Sequence, residues 1–176
     1  FNQVTIHCFY DNKIINMKFF NNGKIQMTGI KYEEQGKNVY HKLFELFKNY
    51  KDTFDGELEL LNYRIVLINS DFSLGNDIDR DLLQNKLVEC NYYSTYEPCN
   101  YPGVNLKYYF NKNNTNGICN CKSVCVGKGS GNGDGDCKRV TIGVFKEGNT
   151  IITGAVNRDQ LHVCKNFITD FFNNKI

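Results

Sequence analysis

The feature of this sequence that most constrains its fold is an internal repeat. The stretch FNNGKIQMTGIKYEEQ at residues 20–35 returns without a gap as FKEGNTIITGAVNRDQ at residues 145–160, so each matched residue lies 125 positions (145 minus 20) after its partner. The identical pairs are Phe20 and Phe145, Gly23 and Gly148, Thr28 and Thr153, Gly29 and Gly154, and Gln35 and Gln160. A segment used twice predicts two copies of one structural unit.

Composition limits the size and the partners of such a protein. The 176 residues are 41% hydrophobic, which is enough for one ordinary core or two small fused halves. The formal net charge of +2 permits a polyanionic partner without requiring one. The sequence has no run of 18 apolar residues, so we expect no membrane partner.

Hydrophobic periodicity predicts the elements of the first half. Alternating residues and turn signals at Asp11 and Gly23 predict three strands, and apolar residues at helical spacing then predict a helix that begins with acidic residues. The predicted strands span 1–9, 14–20 and 24–30, and the predicted helix spans 32–50.

The second half repeats that order with additions. A long strand at 57–74, a helix at 77–89 and an aromatic loop at 92–103 come first. The predicted elements that follow are strands at 104–110, 138–145 and 150–155 and a helix at 157–174. Residues 111–137 have almost no apolar side chains and are predicted to interrupt the second unit as an insert.

These patterns predict an α+β fold. Two copies related by a pseudo-twofold axis would form one antiparallel sheet with the helices on one face, which leaves the opposite face open for function. We predict a first repeat at 1–52 and a second repeat at 53–176 that carries the insert.

Three motifs carry a resemblance to a known family. The pattern F-x-x-G-x-x-x-x-T-G occurs twice, at residues 20–29 and 145–154, and S-x-Y-E-P-x-x-Y-P-G lies between them at 94–103. Together they resemble the conserved core of the TATA-box-binding proteins, most of all the divergent TATA-binding-protein-like factors of large nucleocytoplasmic DNA viruses. The resemblance covers nearly the whole chain except the insert. It implies a saddle-shaped curved sheet with helices on the convex face and a first repeat whose N-terminal part lies before Phe1.

The resemblance also implies a DNA-binding surface. In that family the concave sheet lies in the minor groove of A·T-rich promoter DNA and bends it with two pairs of aromatic wedges. By motif, one pair is Phe1 and Phe20 and the other is Tyr101 and Phe145. The resemblance further implies base contacts at Thr28, Thr153 and Asn62 and basic contacts at Lys24 and Lys107.

Three polar residues depart from the family pattern. Lys18, Gln26 and Arg64 stand where the family has apolar residues on the concave face, and Gly143 thins that face in the second repeat. The minor groove offers acceptors and a flat apolar floor at A·T pairs. Two interpretations stay open: an altered sequence preference, or loss of DNA binding.

The resemblance implies protein partners as well. A B-type transcription initiation factor docks on the family loop that matches Tyr96, Glu97 and Pro98, and an RNA polymerase follows. For a viral factor this implies a location in a viral factory of the host cytoplasm, in the nucleus or in the virion.

Four cysteines in the insert form a separate candidate site. Cys119, Cys121, Cys125 and Cys137 have the spacing C-x-C-x3-C-x11-C, and four thiolates can close a tetrahedral shell around a structural Zn²⁺. A disulfide pair and a disordered insert are the alternatives. The run GKGSGNGDG lacks the G-K-[ST] of a phosphate-binding loop, so we interpret it as a flexible spacer.

No catalytic constellation accompanies the three histidines, so we expect a protein that is not an enzyme. The first hypothesis is a transcription initiation factor that binds and bends promoter DNA. The alternative is a scaffold with the same fold that recruits partners through its insert and helices, with weak or lost DNA binding. An accessory domain of a nucleic-acid enzyme is a third hypothesis, disfavoured by retention of both repeats.

Overall fold

The computed structural model describes residues 2–53, 56–59 and 61–176, which form two compact units. Unit 1 is Phe1–Arg64 and unit 2 is Ile65–Ile176. Each unit combines an antiparallel sheet with helices, so the predicted α+β class is confirmed. None of the described helices is both long enough and apolar enough to cross a membrane.

Unit 1 is a three-stranded sheet with one helix. Strands β1 (Gln3–Tyr10), β2 (Lys13–Phe20) and β3 (Ile25–Thr28) pair in that order, and α1 (Glu33–Lys48) follows. Asp11 and Asn12 have φ of 52° and 56°, as the two-residue hairpin turn between β1 and β2 requires. A short 3₁₀ helix at Lys51–Thr53 comes after α1. The core joins one face of β2 to α1 through four buried residues: Ile15, Met17, Val39 and Leu43.

Unit 2 is a five-stranded sheet with two helices. In chain order its elements are β4 (Ile68–Ser73), α2 (Arg80–Glu89), β5 (Tyr93–Glu97), β6 (Tyr101–Phe110), β7 (Lys138–Val144), β8 (Asn149–Ala155) and α3 (Arg158–Lys175). The strand order in the sheet is β4-β8-β7-β6-β5. Alternate residues of β6 and β7 pack against both helices, so the core lies on one face of the sheet.

The strand register confirms the internal repeat. Lys18 pairs with Gln26 in unit 1, and Gly143 pairs with Ile151 in unit 2, which is the same pair 125 positions later. Thr5 pairs with Lys18 as Asn105 pairs with Gly143. Because a one-residue slip would turn every side chain to the other face, equal register means that equivalent residues face the same way in both units.

Buried glutamines repeat in the same way. The Gln35 side-chain oxygen accepts a hydrogen bond from the Lys31 backbone N–H at 3.1 Å, and that of Gln160 accepts from Val156 N–H at 2.9 Å. Each glutamine therefore ties the start of its helix to the residues that precede it, which explains why Gln returns in both copies.

Two element predictions are wrong. The strand predicted at 57–74 exists only as β4, because the described residues at 57–59 and 61–67 pair with no neighbouring strand, although Leu61 and Val66 are apolar. The aromatic loop predicted at 92–103 contains β5, which pairs with β6 around the turn at 98–100. Cross-strand pairing decided both cases, and neither is visible in local sequence.

Candidate nucleic-acid interface and cysteine centre

The face of the unit 2 sheet opposite its core carries most of the predicted site. We call it the open face of unit 2. Strand alternation and register place eight residues of β6, β7 and β8 there: Asn105, Lys107, Tyr109, Arg139, Thr141, Gly143, Ile151 and Thr153. This face packs against neither α2 nor α3, whose contacts are with the alternate residues.

Two aromatic rings stand together at one end of this face. The ring centroids of Tyr101 and Phe145 are 5.5 Å apart at an interplanar angle of 60°. Two glycines make room for them, because a Cβ atom at Gly103 would lie 3.1 Å from each ring and a Cβ atom at Gly143 would lie 2.7 Å from the Tyr101 hydroxyl. Tyr101 is 39% exposed. The two predicted wedge residues of unit 2 therefore form one aromatic pair, which is referred to below as the ring pair.

Polar donors follow the ring pair along the same face. The Lys107 ammonium donates a hydrogen bond to the Thr141 hydroxyl at 3.1 Å, and Thr153 is paired with Thr141 across the strands. Burial, and after it the charge of Arg139, lower the pKa of Lys107. In the described part of the chain neither cation forms an ion pair. This region therefore has positive charge that no acidic side chain balances.

The equivalent face of unit 1 has a different chemistry. Register places Phe20 and Thr28 where unit 2 has Phe145 and Thr153, in agreement with the sequence alignment. However, Lys18 and Gln26 replace Gly143 and Ile151. The open face of unit 1 consists of these four residues together with Gln3, Thr5, His7, Phe9, Ile14 and Asn16.

Two predicted residues of unit 1 lie outside its open face, and a third is not described. Phe1 is outside the described residues, so the predicted Phe1–Phe20 pair is not described. Asn62 is exposed in the stretch 61–67, which has no strand. Lys24 is exposed at the turn between β2 and β3, where its backbone N–H donates to the Asn22 side chain at 3.2 Å.

Two buried amides were missed by sequence reasoning. The side-chain oxygens of Asn16 and Asn105 are buried without a hydrogen-bond partner, and both residues lie on open faces. A buried polar group without a partner is costly, and a ligand is one way to satisfy it. The alternation of polar and apolar residues in β2 and β6 was the available signal.

The predicted partner loop is displayed at the β5–β6 turn. The guanidinium of Arg80 lies 5.1 Å from the centroid of the Tyr96 ring, which packs against the core. The Glu97 carboxylate accepts a hydrogen bond from the Asn100 side chain at 2.9 Å. Pro98 and Cys99 are exposed. The loop is thus held at its base and open at its tip.

The four cysteines of the insert come together. The sulfur atoms of Cys119, Cys121, Cys125 and Cys137 all lie within 4.8 Å of one another, and we call these residues the cysteine cluster. The Cys137 sulfur is 3.4 Å from that of Cys121 and 3.8 Å from that of Cys119. These separations are too long for a disulfide, and all four cysteines are free. The cluster is therefore a possible metal site.

Neighbouring groups hold the cluster in place. The Asn111 amide donates to the Cys137 sulfur at 3.5 Å and to the Gly133 carbonyl at 2.7 Å. The Asp134 carboxylate accepts from the backbone N–H groups of Lys122 and Ser123 at 2.8 and 3.1 Å. Burial raises the pKa of the Cys137 thiol to about 12. A bound cation would instead favour the thiolate.

The interpretation of the glycine run as a flexible spacer is wrong. Arg139 N–H donates to the Gly127 carbonyl at 2.8 Å, and Lys112 N–H donates to the Gly131 carbonyl at 2.8 Å. A Cβ atom at Gly131 would lie 2.5 Å from the Phe110 ring. Gly127 and Gly131 have φ of 70° and 86°, where glycine is favoured. Residues 111–137, which we call the cysteine module, thus pack against the sheet of unit 2.

Comparison with known proteins bears on this site. No family model matches the chain. A curated protein of Acanthamoeba polyphaga mimivirus, described as TATA-box-binding protein-like, is 33% identical in an alignment of 176 positions that covers 92% of this chain and 44% of the relative. The chain therefore spans less than half the length of that relative.

A solved structure is similar in fold. The TBP of Methanococcus jannaschii matches with a TM-score of 0.57 at 18% identity, over 96% of this chain and 77% of the archaeal chain. At this identity the likeness shows the fold alone. Taken with the mimivirus relative and the repeated register of the two units, it shows that the chain is similar in sequence to a TATA-box-binding protein-like protein and in fold to a TATA-box-binding protein.

Proposed function

We propose that this chain is a transcription initiation factor that binds A·T-rich duplex DNA through the minor groove and bends it. The ring pair of Tyr101 and Phe145 is the observation that carries this proposal. Two aromatic side chains at the end of a sheet face, seated above Gly103 and Gly143, have the size and position of a wedge. TATA-box-binding proteins are the general case in which such wedges unstack a base step and kink the duplex.

The rest of the open face of unit 2 supports the same ligand. The minor groove at A·T pairs presents only acceptors, at adenine N3 and thymine O2. Thr141, Thr153 and Lys107 carry donors on this face, and Ile151 offers an apolar contact for the groove floor. Lys107 and the exposed Lys24 would add phosphate contacts. In this proposal the protein acts by binding and not by catalysis.

Bending of a labelled duplex tests the proposal. Energy transfer between dyes at the ends of a short A·T-rich duplex should rise when the protein binds, and Phe145→Ala or Phe20→Ala should reduce that rise. Phe44→Ala is the matched control, since it removes a ring of α1 that is not part of the unit 1 core. Bending that is unchanged by both wedge substitutions would contradict the proposed mechanism.

Recruitment of other factors is a second part of the proposal. The exposed tip of the β5–β6 turn, with Glu97 and Pro98 above the anchored Tyr96, would dock a B-type initiation factor that in turn brings RNA polymerase. Such a factor acts where the transcribed DNA lies, in a viral factory of the host cytoplasm, in the nucleus or in the virion. A Glu97→Lys protein should bind DNA normally and lose the ternary complex.

Zinc in the cysteine cluster is a third part of the proposal. A Zn–S distance of about 2.3 Å sets the edges of a regular sulfur tetrahedron at about 3.8 Å, and two of the sulfur separations are 3.4 and 3.8 Å. Four thiolates suit Zn²⁺ among the common metals. The cation would serve as a structural staple, because the module has few apolar side chains with which to hold itself together.

Metal analysis of the purified protein tests this assignment. We expect about one zinc per chain, which Cys119→Ser and Cys125→Ser should remove. Cys99→Ser is the matched control, because Cys99 is an exposed cysteine outside the cluster. Protein purified without chelators that contains no zinc, and takes none up, would refute the assignment.

One observation favours the scaffold alternative. Lys18 and Gln26 make the open face of unit 1 polar where a groove floor is apolar. If the protein neither selects nor bends A·T-rich DNA, unit 1 is better explained as a protein-binding face, with the cysteine module and helices recruiting partners.

A further inference from the structure

The cysteine module touches the open face of unit 2 at Gly127. A Cβ atom at Gly127 would lie 2.7 Å from the Cβ atom of Arg139 and 3.0 Å from Cε1 of the Tyr109 ring. Tyr109 and Arg139 are cross-strand partners on this face, in β6 and β7. The backbone of Gly127 therefore lies directly against the side chains of Tyr109 and Arg139. These two residues are at the end of the open face that is next to the module.

Backbone hydrogen bonds join the module to both β6 and β7 at this place. Arg139 N–H donates to the Gly127 carbonyl at 2.8 Å, and Tyr109 N–H donates to the carbonyl of Gly117, also in the module, at 2.8 Å. Next to Gly127, Lys128 forms an isolated antiparallel bridge with Lys138. The module thus continues the backbone pairing of the sheet where β5 and β8 have ended.

The cysteine cluster lies close in sequence to both partners in this contact. Cys125 lies two residues before Gly127, and Cys137 lies two residues before Arg139. Both partners in the contact are therefore tied to the cluster by very short lengths of chain. A metal that holds the four sulfur atoms together fixes the ends of the 125–137 loop, and its loss would free Gly127 from Arg139.

The chemistry of this end of the face fits a phosphate group. Arg139 is exposed, and together with Lys107 it forms no ion pair within the described residues. Burial, and after it the charge of Arg139, lower the pKa of Lys107, and an anion at this place would offset the repulsion between the two cations. Guanidinium groups bind phosphate oxygens in two-pronged geometry, and a tyrosine hydroxyl is a further donor.

We propose that Arg139 and Tyr109 form a phosphate-binding site for the DNA backbone, and that the metal-bound cysteine module holds this site in position through Gly127. Gly127 is a positioning residue, whereas Arg139 and Tyr109 touch the DNA. This inference rests on the proposed DNA-binding function. It adds that metal occupancy and DNA affinity are linked, although the metal itself does not contact the DNA.

Such a linkage has a reciprocal consequence. If metal raises the affinity for DNA by some factor, DNA raises the affinity for metal by the same factor. We expect roughly tenfold in each direction, since one charged contact is at stake. Loss of one phosphate contact should also reduce the slope of log affinity against log salt concentration by about one.

The experiment measures DNA affinity at several salt concentrations for five samples of four proteins. These are the zinc-loaded wild type, the chelated wild type, and zinc-loaded Arg139→Gln, Gly127→Ala and Gly133→Ala. Gly127 has φ of +70° and no room for a Cβ atom, whereas a Cβ atom at Gly133 meets nothing within 4 Å, so the last protein is the matched control. Zinc content and zinc affinity, with and without DNA, are measured on the same samples.

The outcomes separate this inference from the proposed function. We expect chelation, Arg139→Gln and Gly127→Ala each to weaken binding about tenfold and flatten the salt slope by about one, with Gly133→Ala like wild type. Arg139→Gln should keep its zinc but lose the effect of DNA on zinc affinity. If the wild type selects A·T-rich DNA and neither chelation nor Arg139→Gln changes the slope, this inference is wrong and the proposed function stands. If the wild type binds duplex DNA without preferring A·T-rich sequences, the proposed function is wrong, and if it binds no duplex DNA at all, both are wrong.

Discussion

The two units of this protein agree on one face of each sheet and differ on the other. Both core faces are built of apolar residues, and the turns agree closely: Gly23 and Gly148 both have φ of 77°, and Gly29 and Gly154 have φ of 89° and 90°. On the open face Lys18 and Gln26 of unit 1 stand where unit 2 has Gly143 and Ile151. Folding requirements therefore kept one face similar after the duplication, while the other face was free to diverge.

The units also differ in what surrounds the equivalent strands β1 and β6. Val104 and Leu106 of β6 are fully buried, whereas Val4 and Ile6 at the same positions of β1 are 62% and 43% exposed. In unit 2 β5 pairs with the edge of β6, and α2 lies over it. The described residues of unit 1 contain no equivalent of β5 or α2. The contrast shows how much of the burial of one strand depends on its neighbours.

The largest expected effect follows from the aromatic rings. Replacing both Tyr101 and Phe145 with Ala should weaken binding to an A·T-rich duplex on the order of 100-fold, because each stacked ring contributes about 1–3 kcal/mol. Phe20→Ala in unit 1 should weaken it about tenfold by the same reasoning. Fluorescence anisotropy measures both.

The same measurements show which unit contributes more to DNA affinity. A larger loss for Phe20→Ala than for the double variant of unit 2 would mean that the polar open face of unit 1 is the main DNA contact. Circular dichroism of each variant guards against misfolding.

The repeated glutamines give the second prediction. Gln160→Ala should lower the free energy of unfolding by about 2–3 kcal/mol and Gln35→Ala by about 1–2 kcal/mol, since each leaves a partly buried backbone N–H without its partner. The difference arises because Gln160 also donates to the Ser130 carbonyl at 3.2 Å and so ties the cysteine module to α3. Urea unfolding followed by circular dichroism provides the values. Equal losses in the two variants would mean that the module adds no stability at this contact.

The third prediction exchanges the open faces. Gly143→Lys with Ile151→Gln should weaken selective binding by unit 2 about tenfold, or about 1.4 kcal/mol, because a side chain at 143 meets the Tyr101 hydroxyl and a polar residue replaces an apolar contact. The reverse exchange, Lys18→Gly with Gln26→Ile, should increase the affinity of the protein for duplexes that consist of uninterrupted A·T pairs. Competition binding against a panel of duplexes measures both. If neither exchange changes the relative affinities for the duplexes of the panel, these four positions do not determine the sequence preference.

The smallest effect is expected at one hydroxyl group. Tyr101→Phe should tighten binding about threefold, since an apolar ring enters a base step without burying a hydroxyl that has no partner there. Titration of the same duplex resolves a change of this size. Weaker binding by the Phe variant would indicate that the hydroxyl bonds to the DNA.

Much of the fold could be predicted because the repeat and the alternation are local signals. The register of β2 and β3 follows from Phe20, Thr28 and their copies, because a shift of one residue in strand pairing would move every apolar side chain to the other face of the sheet. The strand at 57–74 was overpredicted because apolar residues such as Leu61 and Val66 satisfy a pattern without having a partner strand. Pairing is a tertiary property and leaves no mark in a single segment.

The candidate site was predictable to a similar extent. The sequence shows four cysteines in a spacing that a metal can join, and the motifs bring Tyr101 and Phe145 together as expected. It does not show that Gly127 packs on Tyr109 and Arg139, because a glycine chosen for close approach looks the same as one chosen for flexibility. The contact became visible only with β6, β7 and the module in place.

Selection of duplexes from a random pool at two salt concentrations tests the central claim most directly. Enrichment of one A·T-rich element that persists at the higher salt concentration is the predicted result, because groove contacts by the open faces are less dependent on salt than phosphate contacts are. Binding without enrichment that disappears as salt is raised would contradict the claim and would leave only a nonspecific electrostatic contact.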